Sequence, residues 1–119
     1  MLATGKLIKV LRSVLGDGVE GACLMTTEGS LLCSVSLPGG KVDETALAAI
    51  SSSIWNNYAQ GSQYLSFHLL KLEAGCMGIV PTGKGYLLSA YGSDVTAGLL
   101  RGKLDALASY FTRVFDELV

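Results

Sequence analysis

The sequence predicts an α+β domain, and three observations carry that prediction. Apolar residues recur at helical spacing in three separate stretches. Between them lie two groups of short strand-like runs, two runs in the first group and three in the second. The turns inside each group are short, so neighbouring strands pair antiparallel. The expected order is α-β-β-α-β-β-β-α, a five-stranded antiparallel sheet with helices on both faces.

The 119 residues are expected to form one domain over 1–119, without linker, repeat or low-complexity stretch. In residues 2–15, Leu7, Ile8, Leu11, Val14 and Leu15 form one helical face, and Gly16-Asp17-Gly18 ends that helix. Residues 19–26 read as a strand, Thr27-Glu28-Gly29 as a tight turn, and 30–36 as the returning strand. Pro38-Gly39-Gly40 breaks the chain, and Asp43 or Thr45 caps a second helix running to about Gln60. Residues 65–73, 76–81 and 86–91 follow as strands, joined by Ala74-Gly75 and by Thr82-Gly83-Lys84-Gly85. Asp94 or Thr96 caps the last helix, whose Leu100, Leu104, Leu107, Phe111, Val114 and Leu118 keep a three-to-four spacing.

Composition narrows the function classes. Half the residues are apolar and 16% are charged, which excludes a disordered chain. Nine Lys and Arg residues, scattered at a net charge of −1, do not build the basic face that nucleic acid requires. Lys6, Lys9 and Arg12 interrupt any signal-type apolar run, and no stretch reaches transmembrane length, so direct membrane insertion is not expected. Cys23, Cys33 and Cys76 are odd in number, lack C-x-x-C spacing and sit among apolar residues, as core thiols of a reducing compartment do. The mean hydropathy of +0.45 is high for a small chain and points to apolar surface meeting another protein.

The most informative feature is a gap in charge. No Asp, Glu, Lys or Arg occurs from residue 45 through 70, where about four are expected from the overall frequency. On the second helix, Leu47, Ile50, Ile54 and Tyr58 form a stripe large enough to pack on a sheet. Beside it Ala46, Ala49, Ser53 and Asn57 form a small stripe that admits a second helix. Three helices on one sheet can hardly bury this helix on all sides, and charge is depleted from interface cores. A subunit interface is therefore favoured over a helix buried within one chain. If the third strand is a sheet edge, its unpaired backbone groups add to that interface. The expected interface is Ala46, Ala49, Ile50, Ser53, Ile54 and Asn57 with Phe67, His68 and Leu69. Trp55 lies off both stripes and is either an interface anchor or a core residue at the helix edge.

Catalytic chemistry finds little support. Residues 78–85 imitate a P-loop, but Gly85 stands where a hydroxyl must bind Mg²⁺, and the segment lies between two strands rather than before a helix. His68 is the single histidine, placed among Phe67, Leu69 and Leu70 as a structural strand residue. One histidine without a cysteine pair excludes a Cys/His zinc site. Asp43-Glu44 suits a helix N-terminus, and Asp116-Glu117 a solvated helix end. No catalytic residue, cofactor or metal is expected.

In this order of elements, certain stretches resemble the roadblock-domain family, which shares the profilin-like fold. They are Glu28-Gly29-Ser30-Leu31-Leu32, then Ala48-Ala49-Ile50 with Ser52, Ile54, Trp55 and Tyr58. Leu65, Phe67, Leu69, Gly75 and Ile79 follow, and then Gly98, Leu100, Lys103, Ala106-Leu107 and Tyr110. The resemblance is strongest to the roadblock subunits of Ragulator, the late endosomal and lysosomal adaptor for MAP kinase and mTOR signalling. It implies a non-catalytic dimer with a second roadblock protein, second helices side by side and third strands joined. It further implies a lipidated Ragulator scaffold subunit that wraps the pair and tethers it to the lysosome, and Rag-type GTPases that dock on it. The outer faces of the first and last helices are candidates for the wrapping subunit. There Gly98 and Gly102 either open space for a partner helix or pack on the chain's own sheet or first helix. The alternative within the family is a dynein light chain or a homodimeric regulator of a small GTPase.

Overall fold

A computed structural model describes residues 4–38, 44–59, 68–72, 75–82 and 86–117. The chain runs through α1 (Thr4–Arg12), β1 (Gly21–Thr26), β2 (Leu31–Ser36), α2 (Glu44–Ala59), β3 (His68–Leu72), β4 (Gly75–Pro81), β5 (Tyr86–Gly92) and α3 (Ala97–Glu117). Leu65 and Phe67, expected in the third strand, lie outside the described residues.

Helix ends follow local chemistry. After Arg12, α1 tightens into a run of three-residue turns, from Ser13 N–H to Val10 C=O at 3.0 Å through Leu15 N–H to Arg12 C=O at 3.1 Å. The chain then reverses through Gly16, Asp17 and Gly18, all in the left-handed region, with φ of 104°, 53° and 97°. At Gly18 no side chain fits, because a Cβ there would strike the Asp94 carbonyl. Thr96 caps α3, its Oγ1 accepting from Leu99 N–H at 3.3 Å.

All strands pair antiparallel in the order β2-β1-β5-β4-β3, so β2 and β3 are the edges. Between Leu24 and Met25 the β1–β2 register shifts: Cys33 opposes Leu24 and Leu31 opposes Met25, leaving Leu32 as the bulged residue. Alternation along the central strands divides the apolar residues into two cores. On one face, α1 over β1 and β2 and α3 over β4 and β5 cover Leu24, Val35, Val80, Leu88 and Ala90, with Leu11, Leu100, Leu104 and Phe111 wholly buried among them. On the other face, α2 over β1, β2 and β5 covers a smaller core of Cys23, Met25, Met77, Ile79 and Leu87.

One expectation about α2 is corrected here. The stripe of Leu47, Ile50, Ile54 and Tyr58 does not pack as a unit on the sheet. Leu47 is buried, but Ile50 is 49% exposed. The buried side is rotated toward Ala48, Ser51 and Ser52, with Trp55 partly buried against the core. Part of the physical reason is a hydroxyl pair: Ser51 Oγ and Ser89 Oγ on β5 share a hydrogen bond at 2.8 Å, and neither is exposed. Small residues underneath bring the helix close, which turns Ile50 away from the sheet. Trp55 accordingly serves as a core residue at the helix edge.

Candidate functional site

The exposed side of α2 carries Ala46, Ala49, Ile50 and Ser53 together, with Ile54 half-buried at its margin. The charge gap thus falls on a solvent-facing helix surface rather than on an enclosed one. Asn57 lies on the last turn of α2, and its side chain is outside the described residues. His68 and Leu69 stand on β3, opposite Ile79 and Gly78, at the outer edge of the sheet. Phe67 lies outside the described residues. The structure therefore gathers the four α2 residues on one surface and puts His68 and Leu69 on an edge strand.

A second surface lies between α1 and α3. Val10, Ser13 and Val14 from α1 and its terminal turns face Lys103, Ala106, Leu107 and Tyr110 across an open groove of about 300 Å³. Lys103 closes one end: its ammonium donates to the carbonyls of Val14 at 3.0 Å and Gly16 at 2.9 Å, and lies 3.4 Å from the Asp17 carboxylate. These contacts satisfy carbonyls at the C-terminal end of α1. Gly98 and Gly102 are exposed on α3, and a Cβ at either would meet nothing within 4 Å. They do not pack on the chain's own sheet or on α1. Lys103 as the keeper of the α1 terminus escapes sequence reasoning; its one signal is a lysine three residues from Leu100 and four from Leu107, beside the buried stripe.

Reactive groups are held in structural roles. The cysteines are buried thiols, and burial pushes the Cys33 thiol above its ordinary pKa, away from the nucleophilic thiolate. Among the described residues, no three His, Cys, Asp or Glu side chains gather as metal ligands. The P-loop-like segment joins two antiparallel strands, with Pro81 opposite Leu87 and Thr82 N–H bonded to Tyr86 C=O at 3.1 Å. Gly83, Lys84 and Gly85 lie outside the described residues. Hydrogen bonding by the Ser93 hydroxyl, and then by Ser93 N–H, which donates to Glu20 at 2.6 Å, holds the Glu20 carboxyl below the usual carboxylate range. Among the described residues, no helix is long and apolar enough to cross a membrane.

No protein-family model matches the chain. A curated relative, the Ragulator complex protein LAMTOR2 homolog of Caenorhabditis elegans, is 33% identical over 112 residues, covering 92% of this chain and 90% of the relative. Among solved structures, MglB in a tetrameric arrangement superposes with a TM-score of 0.85 at 18% identity, covering 100% of this chain and 95% of the other. The Roadblock/LC7 domain of Streptomyces avermitilis superposes at 0.75 with 14% identity, covering 90% and 95%. At these identities the structural likenesses establish the fold, while the curated relative establishes kinship along nearly the whole chain. The chain belongs to the roadblock-domain family, and within it resembles the Ragulator protein LAMTOR2.

Proposed function

We propose that this chain is a non-catalytic adaptor that pairs with a second roadblock protein and helps present Rag-type small GTPases at the late endosomal or lysosomal surface. The observation that carries this reading is the exposed, uncharged α2 face of Ala46, Ala49, Ile50 and Ser53. A large aliphatic side chain half in water among small residues suits a helix–helix seam. The edge strand β3 supplies backbone groups for continuing the sheet into a partner. The kinship with a Ragulator protein supports this kind of assembly.

The decisive experiment is co-purification of the chain with roadblock partners from native cells, together with Ala49→Arg and Ser53→Arg. Each arginine places an unpaired charge in the proposed seam, at a cost of several kcal/mol. The pair is expected to split in both variants, read as oligomeric mass by light scattering. An unchanged mass in both overturns the reading. A purified chain that forms stable homodimers and captures no second roadblock protein supports the homodimeric regulator instead.

Membrane recruitment in this proposal is indirect, through a lipidated Ragulator scaffold subunit seated on the outer faces of α1 and α3. Gly98→Leu with Gly102→Leu adds bulk there at two positions where a Cβ meets nothing within 4 Å. The expected result is loss of lysosomal localisation with the roadblock pair intact. Purified chain that binds liposomes by itself contradicts indirect recruitment.

A further inference from the structure

The middle of α2 rests on the sheet through polar groups rather than large apolar side chains. Between Ala48 and Ile54 its inward residues are Ser51 and Ser52, 0% and 6% exposed. Ser52 Oγ donates to the Thr27 carbonyl at 2.9 Å, and Asn56 Nδ2 donates to the same carbonyl at 3.1 Å. Thr27 belongs to the β1–β2 turn, which is braced internally by Gly29 N–H to Thr26 C=O at 3.0 Å and Thr26 N–H to Ser30 C=O at 2.9 Å. Gly29 lets the turn approach the helix. At φ 96° it has no Cβ, and one built there would lie 3.2 Å from Ser52 Oγ and 3.3 Å from Ser52 Cβ.

We propose that the β1–β2 turn is a latch on α2, in which the Thr27 carbonyl, held by Ser52 and Asn56, sets the helix's position on the sheet and couples the first hairpin to the exposed α2 face. The physical reason is specification. Alanine and serine side chains make shallow ridges that fix a helix's rotation and height poorly, whereas two directional bonds to one acceptor fix both. Ser52 and Asn56 are one helical turn apart, so either a rotation or a one-residue slide breaks both bonds together. Ile50 and Ser53 ride on the same rigid helix, so a shift at the latch moves the surface they form. The consequence for pairing rests on the function proposed above; the latch itself does not.

Two perturbations test it from opposite sides. Ser52→Ala with Asn56→Ala removes both donors. Gly29→Ala strains a left-handed residue and drives a methyl group toward Ser52. Hydrogen exchange on the isolated chain, read by mass spectrometry, is expected to run about tenfold faster in α2 for each variant, with β4 and β5 unchanged. Combining the variants is expected to give less than the product of the separate effects, because both act on one contact. Exchange in α2 equal to wild type in the Ser52/Asn56 variant overturns the latch. So does an acceleration matched in β4 and β5, which reports general loss of stability. Association with the roadblock partner is expected to weaken about tenfold in parallel. Faster α2 exchange with undiminished association leaves the latch standing and counts against α2 as the pairing surface.

Discussion

At Lys103, an ammonium group whose side chain is only 18% exposed spans from α3 to the turns after α1, where it takes up the Val14 carbonyl and shares the Gly16 carbonyl with Val19 N–H. Lys103→Met keeps the packed stem and removes the donors. The expected cost is about 1–3 kcal/mol, read as a shift of the urea midpoint with unchanged slope, and a variant as stable as wild type contradicts the assignment. Glu20 lies a few residues further along the chain, and its effect depends on pH. Its carboxyl pKa is lowered by the hydrogen bonds from Ser93, so its contribution is full above the unfolded carboxylate range and disappears as pH falls through the lowered folded value. The stability gap between wild type and Glu20→Gln, measured by urea titration, is therefore expected to shrink from pH 7 to about pH 3. Neither role was legible in the sequence. Each depends on a partner that only the fold supplies: Ser93 stands seventy-three positions from Glu20, and Val14 eighty-nine from Lys103.

Among the elements, α1 and α3 were legible because large aliphatic residues mark one side of each, and Leu11, Leu100, Leu104 and Phe111 are indeed wholly buried. The orientation of α2 was not. Its residues are apolar or small on every side, so the ordinary periodic signal is weak, and reading the largest side chains as the inward ones put Ile50 toward the sheet. What orients α2 includes a hydroxyl on β5, invisible to any local pattern. Ser51 Oγ bonds both Leu47 C=O at 2.7 Å and Ser89 Oγ at 2.8 Å. Ser89→Ala strips one buried partner from Ser51, and Ser51→Ala strands the Ser89 hydroxyl. Each single change is expected to cost about 1–3 kcal/mol, and the double change distinctly less than their sum. Additive costs in thermal or urea unfolding contradict direct coupling. The exposed α2 surface was half legible: the missing charge raised the expectation of a contact, but only the orientation of the helix shows that Ala46, Ala49, Ile50 and Ser53 reach solvent together.

For the molecule as a whole, the larger core decides stability. Phe111 is wholly buried and makes an edge-to-face contact with Tyr110, ring centroids 5.6 Å apart. Phe111→Ala is expected to cost about 3–5 kcal/mol, measured by denaturant titration, which is most of the margin of a small domain. A loss below about 1 kcal/mol would mean that the cavity collapses completely. The order of strands carries one more consequence, for the route by which the chain folds. β1 with β2 and β3 with β4 and β5 are neighbours in sequence, and α1 and α3 each pack on the adjacent strands of their own half. The two halves meet along β1 and β5, where Thr26 faces Tyr86 sixty positions later. Each half can collapse from local contacts, whereas zipping this central seam must close a long loop that contains α2. The seam is thus the expected kinetic bottleneck: shortening Leu24 or Leu88 should slow refolding.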